Sequence, residues 1–313
     1  MRLGILGYGN LGKALAKEIK NTPHELVAVF SRRRVYESGV NILPRESISD
    51  YYGMIDVMLI ATKSNTEVEA DTMNLLPNFN TIDSFDMHQK IPEYKAKVDT
   101  ISKSNSRISI ISAGWDPGIL SIVRAIAKIS VGAENINTFW GIGKSLGHTT
   151  ALMSIEGVKH GVQYTVPIPE SKALAKNQDA NLSDTARHRR ECFIVPKAFA
   201  NKKEIEEKIR NMDGYFKGYE TAIHFISESD FLLNHTRDFH RAEVISTKIK
   251  GGDKTALDMK IKIPSNSEFT AKIMISYLNA INYLQNIKKY GSYTPVDIPL
   301  SLLIDDETYT KII

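Results

Sequence analysis

The sequence predicts an α/β protein: a doubly wound parallel sheet first, then an α+β unit whose sheet is mostly antiparallel. Three observations predict it. A short apolar run, residues 2–6, leads straight into Gly7-Tyr8-Gly9-Asn10-Leu11-Gly12 and then into a helical pattern. Apolar, β-branched runs alternate with helical stretches as far as residue 113, as in a sheet buried on both faces. From about residue 135 this alternation gives way to strand-like pieces separated by longer connections.

The elements follow in order. Leu11, Leu15 and Ile19 recur at spacing four behind the glycine loop, and residues 25–30 (ELVAVF) close a βαβ unit. Gly7 permits the tight turn, Gly9 lets a pyrophosphate approach the backbone, and Gly12 lets helix and strand pack closely. The helix start offers free N–H groups to phosphates, so this is a Rossmann-type dinucleotide site. At the end of the second strand stands Ser31-Arg32-Arg33-Arg34, where an NAD site would carry an acidic residue. A guanidinium there pairs with a 2′-phosphate. The cofactor is therefore read as NADP, with Ser31, Arg32 and Arg33 as contacts; a solvated basic turn is the alternative.

Residues 57–61 read as the next strand and 66–76 as its helix; residues 81–85 and 92–104 repeat the unit, and 107–113 make the fifth strand. That strand ends on SAGWDPG, with Asp116 placed as a helix N-cap, Pro117 in a first turn and 118–129 as a bridging helix. Ligands of such sheets bind at the carboxyl ends of strands, where both Asp86 and Asp116 fall. Two carboxylates beside a nicotinamide can hold a substrate ammonium or take protons from an amine being oxidised. A cap or turn role is the alternative for each. Trp115 can form an apolar wall over a ligand chain.

The second half offers strands at 135–142, 190–195, 220–226, 242–249 and 255–263, the last two joined by KGGDK as a hairpin. Residues 268–287 read as one long helix with Ser267 as a cap. Candidate anion-binding groups are the basic run 187–190, Thr165, His240, Asn266 and His148. Each also fits a structural or solvated role.

Bulk properties bound the function. The 313 residues, 42% apolar and 24% charged, suffice for two domains, and a formal charge of +4 makes no case for nucleic acid. One cysteine, Cys192, excludes an internal disulfide and a cysteine metal site. No apolar run approaches a membrane span, no segment before the first strand reads as a signal peptide, and no clustered His/Asp set suggests a metal. A soluble, cytoplasmic protein without metal, membrane or nucleic-acid partner is expected.

Taken together, GYGNLGKAL (7–15), VFSRR (29–33), IDSFDMH (82–88), SAGWDPG (112–118), TFWGIGKSLGHT (138–149), VQYT (162–165), RRECF (189–193), GYFKGYE (214–220), HTRDFH (235–240) and NSEFTA (266–271) resemble the meso-diaminopimelate D-dehydrogenase family nearly end to end. The resemblance implies reversible, NADP-dependent deamination of the D-centre of meso-2,6-diaminoheptanedioate to L-2-amino-6-oxoheptanedioate and ammonia, a step of lysine and cell-wall precursor synthesis. It implies a homodimer, with a dinucleotide domain at 1–117, a substrate and dimerisation domain at 118–264, and a C-terminal part at 265–313 packing back on the first. It places Asp86 and Asp116 at the reacting amine, with Trp115 against the substrate. Arg190, Thr165 and His240 fall at the far carboxylate, Asn266 helps fix the substrate, and His148 belongs to the substrate loop. Gly9, Asn10, Leu11, Arg32, Arg33, Thr62, Lys63 and Ser64 fall on NADP. The loop GKSLGHTTA departs from the family in Leu146 and Thr150, where polar or acidic side chains are expected, which bears on tolerance for other D-amino acids. The rivals are another NADP-dependent reductase of the same two-domain type and a non-catalytic NADPH sensor.

Overall fold

The computed structural model describes residues 1–64, 66–236 and 239–313, with the backbone alone at Leu146. It divides into two compact units, Met1–Ile122 with Ser267–Ile313, and Val123–Asn266.

The first unit is built on a seven-stranded, all-parallel sheet. Its strands are β1 (Arg2–Leu6), β2 (Glu25–Ser31), β3 (Ile42–Pro44), β4 (Val57–Ile60), β5 (Asn80–Asp83) and β6 (Ile108–Ile110), with Gly291–Tyr293 as the seventh. The spatial order is Gly291–Tyr293, β6, β5, β4, β1, β2, β3, so the direction of winding reverses beside β1. Leu3, Ile5, Leu59, Ile82 and Ile110 are fully buried, which is why these strands read as unbroken apolar runs. Helices α1 (Asn10–Ile19), α2 (Val68–Leu75) and α3 (Ile91–Ser104) connect them. Residues 268–287 are two helices, Asn266–Ser276 and Leu278–Asn286, separated at Tyr277, and Ser267 lies inside the first rather than capping it. Met274, Tyr277, Leu278 and Ile281 pack into the same core as Leu3, Ile5 and Leu15.

The second unit carries two sheets. In one, β7 (Asn137–Trp140) and β12 (His240–Lys250) pair antiparallel, as do β12 and β13 (Asp253–Ile263). The other has the order β11, β10, β9, β8, from β8 (Gly143–Lys144), β9 (Val158–Pro167), β10 (His188–Pro196) and β11 (Thr221–Phe225). Only β10 and β11 run parallel there. Its inner strand β9 is the longest the sequence pattern missed, because a polar-looking VKHGVQYTVP hides a segment buried continuously from 161 to 166.

Candidate active site

The glycine loop takes the form its sequence requires. Gly7 has φ +100°, open to glycine but strained for other residues. A Cβ on Gly12 would lie 2.1 Å from the Gly7 carbonyl oxygen, so only glycine lets α1 approach β1 this closely. A Cβ on Gly9 would meet nothing within 4 Å. Gly9 is the N-cap of α1 and supplies no side-chain cap, so Asn10 and Leu11 begin the helix with amides available to an anion. This cradle of open backbone fits a pyrophosphate.

Ser31 ends β2, and its Oγ accepts from the Arg33 amide at 3.2 Å, closing the turn that presents the arginines. Arg32 is largely exposed and pairs with Glu67 at 2.8 Å. After β4, Thr62 donates to Asp71 at 2.7 Å; Asp71 is itself nearly buried and paired with Arg45. The Lys63 carbonyl accepts from the Glu67 amide at 2.8 Å and so anchors the entry to α2. Ser64 reaches further: its Oγ donates to Asp86 Oδ1 at 2.5 Å and accepts from the Asp86 amide at 2.9 Å. The loop expected to meet the cofactor is thus tied to one of the two candidate aspartates.

SAGWDPG is not a capped helix start. Residues 115–117 form a turn with a cis Asp116–Pro117 bond, closed by an isolated bridge between Gly114 and Gly118, and the helix begins only at Ile119. Trp115 packs edge-on to Phe269 at 6.0 Å. The Asp116 side chain is 3% exposed, with Oδ1 3.9 Å from His88 Nε2. Asp86, in contrast, is exposed.

Sequence reading passed over Asp83, which organises both loops. It is fully buried at the end of β5. Tyr94 Oη donates to it at 2.6 Å and Thr72 Oγ1 at 3.2 Å, while the amides of Phe85 and Ser112 donate at 2.9 Å. Burial raises its pKa despite these donors. One amide lies on the approach to Asp86 and the other on the approach to Asp116. The only sequence signal was a carboxylate inside the apolar run TIDSF.

The second unit sorts the basic run 187–190 by strand alternation. Arg187 pairs with Asp184 and lies over the Trp140 ring. His188 accepts from the Trp140 amide at 2.9 Å, and burial lowers its pKa to about 4, so it is a neutral structural residue. Arg189 is exposed. Arg190, 8% exposed, donates to Thr165 Oγ1 at 2.7 Å and stacks over Tyr219 at 4.0 Å. Burial lowers its pKa. Among the described residues no carboxylate forms an ion pair with Arg190, and its Nε has no hydrogen-bond partner.

Gln163 donates to the same Thr165 hydroxyl at 3.2 Å. His148 Nδ1 lies 2.7 Å from Ser145 Oγ, and its buried Nε2 lacks a partner. Burial, helped by the Arg190 charge, lowers the His148 pKa to about 4. Sequence reading found Arg190, Thr165 and His148 here but neither Gln163 nor Tyr219. His240 opens β12 and Asn266 opens the helix Asn266–Ser276; both are half-buried. Thr150 is exposed, whereas the Leu146 side chain lies outside the described residues.

Among the described residues no group of three or more His, Cys, Asp or Glu could hold a metal ion, and no helix is long and apolar enough to cross a membrane. A family described as the diaminopimelic acid dehydrogenase C-terminal domain matches residues 114–265. The chain is 38% identical to the meso-diaminopimelate D-dehydrogenase of Ureibacillus thermosphaericus, across 97% of this chain and 95% of that one. It is 32% identical to that of Corynebacterium glutamicum, across 97% and 95%. Among solved structures, the C. glutamicum DAP dehydrogenase in complex with DAP superposes with TM-score 0.93 and 32% identity, covering 100% of this chain and 98% of that one. An engineered D-amino acid dehydrogenase bound to NADP+ gives TM-score 0.89 and 30% identity, with 100% and 98% covered.

Proposed function

The chain belongs to the meso-diaminopimelate D-dehydrogenase family, and on that premise we propose how its residues divide the work of an NADP-dependent amino-acid dehydrogenase. The reaction is the reversible oxidative deamination of the D-centre of meso-2,6-diaminoheptanedioate, giving L-2-amino-6-oxoheptanedioate and ammonia.

NADP, when bound, accepts the hydride. The open backbone at Gly9 with Asn10 and Leu11, between Gly7 and Gly12, takes its pyrophosphate, and Thr62, Lys63 and Ser64 line the next loop. Ser31, Arg32 and Arg33 take the 2′-phosphate. Asp86 and Asp116 hold the reacting ammonium and receive its proton, because the amine must be neutral before its carbon can lose hydride. Water then attacks the carbon of the resulting imine, and ammonia leaves. The role is assigned to the pair rather than to either carboxylate alone. Trp115 packs against the substrate chain.

Arg190 and Thr165 bind the far carboxylate, with His240, His148 and Asn266 fixing that end. The observation that carries the assignment is Arg190: a buried guanidinium with no carboxylate partner among the described residues is costly until an anion arrives. Presenting one centre while holding the other leaves orientation as the main source of rate. Residues 1–117 would form the dinucleotide domain and carry the groups at the reacting amine, 265–313 would pack back on it, and 118–264 would serve the far end of the substrate and the pairing of a cytoplasmic homodimer. Ile129, 85% exposed on the helix Ile119–Val131, suits such pairing.

The test is NADPH formation with meso-, L,L- and D,D-diaminopimelate offered separately. Turnover of the meso isomer with NADP supports the assignment, whereas cofactor binding without turnover of any isomer sinks it and favours a sensor. Turnover of simple D-amino acids would place the departure at Leu146 and Thr150 in the specificity of the far end. A solution mass of twice 35.1 kDa tests the dimer.

A further inference from the structure

Strand alternation gives every site residue of a sheet a neighbour on the opposite face. Thr165 and Arg190 are cross-strand partners on β9 and β10; the next pair, Val166 and Arg189, points the other way. On that opposite side lies a cavity of about 600 Å³, within the range that accommodates small molecules. Its cations come from three places: Arg189 on β10, Arg241, Lys260 and Lys262 on the β12–β13 hairpin, and Lys172 on the helix Pro169–Asn177. Ile142, Val166 and Ile261 give it an apolar floor.

Among the described residues Glu243 is the one carboxylate lining it, and it is already engaged. It pairs with Lys172 at 2.5 Å and Lys176 at 2.7 Å, and stands 3.8 Å from Lys260. Burial works to raise its pKa, but hydrogen bonds from Lys172 and Lys176 more than offset this and hold it at about 2. Arg241 and Lys262, however, sit directly opposite each other across β12 and β13. Like charges so placed destabilise a sheet. Among the described residues neither forms an ion pair. Pro169 and Lys172 bring in the first turn of a nine-residue helix whose N-cap, Ile168, supplies no side-chain cap.

We propose that this cavity is a second ligand site, taking a small anion with at least two negatively charged oxygens and a compact apolar body, such as a dicarboxylate or a phosphate ester. The anion bridges Arg241 and Lys262 and lies toward Arg189. The proposal does not depend on the reaction assigned above.

The test loads the enzyme with NADPH and meso-diaminopimelate, a pair that cannot turn over, and titrates it calorimetrically with citrate in one arm and inorganic pyrophosphate in another. The expected result is one equivalent per chain in at least one arm, which also identifies carboxylate or phosphate as the preferred head group. Losing one charge-assisted contact should raise the dissociation constant roughly tenfold in Lys262→Glu and in Arg241→Gln, with turnover unchanged. Three results overturn the site: no saturable uptake in either arm, equal uptake by wild type and both variants, or a loss of self-association in Lys262→Glu without any anion binding, which would make the cavity a surface between copies.

Discussion

Asp83 and Arg190 are both buried charges beside strands that carry site residues, but their surroundings are opposite. Asp83 receives four hydrogen bonds from its own unit, two of them from loop backbone. Arg190 donates to the Thr165 hydroxyl, lies against the Tyr219 phenol, which favours its charged form, and leaves a buried Nε unpartnered. A satisfied buried ion is a structural pin, because removing it strands its donors. An unsatisfied one has a cost in the free protein that a ligand removes, so it marks a site. The difference marks Asp83 as a support for loop geometry and accords with the recognition role proposed for Arg190.

The comparison can be broken at several points. The largest effect is expected where proton transfer is lost: Asp116→Asn should lower kcat roughly 10²–10⁴-fold, with cofactor affinity by fluorescence unchanged. Arg190→Met should lower kcat/KM for meso-diaminopimelate roughly 10²–10³-fold, mostly through KM, while thermal stability stays level or rises. A large drop in melting temperature there would mean that Arg190 is a pin after all.

Asp83→Asn should do the reverse. Unfolding free energy should fall by about 1–3 kcal/mol and kcat should fall, while KM for the substrate moves little. An unchanged denaturation midpoint would remove Asp83 from its assigned role.

Acid probes the second unit. A histidine with a folded pKa below its unfolded value binds fewer protons in the folded state. The stability contributed by neutral His148 and His188 is therefore full above about pH 6.5 and lost as pH falls toward 4. The loss should be of order 1–3 kcal/mol per residue, and His188→Gln should flatten the melting curve against pH in that window. The smallest effect belongs to the exposed pair at the cofactor turn: freeing Arg32 by Glu67→Gln should lower KM for NADP no more than about fivefold, and added salt should erase the difference.

The contrast also explains what the sequence disclosed. β1, α1 and β2 were legible because the glycine loop fixes a local geometry and the strands are apolar throughout. Asp86, Asp116 and Arg190 were singled out by position and resemblance. Asp83 was not, since its value lies in Tyr94 and Ser112, brought to it by α3 and β6. Nor did any local signal separate His188 from Arg190 within the basic run; the register of β10 against β9 does that. β3 and Gly291–Tyr293, at three residues each, are too short to carry a periodic pattern, and they exist because neighbouring strands offer an edge. The split at Tyr277 escaped notice because apolar spacing continues across it.

The strand Gly291–Tyr293 and the helices before it have a consequence for biosynthesis. The first core needs Met274, Tyr277 and Ile281, yet all of Val123–Asn266 must be translated before they emerge. At ribosomal speeds that delay is of order ten seconds. The nascent amino-terminal sheet waits through it with the edge of β6 unpaired and part of its core uncovered, whereas the unit translated second is contiguous and can close first. The interval favours a chaperone that shields β6, and it predicts that a stop codon before residue 267 yields a protein that aggregates through its oldest strands.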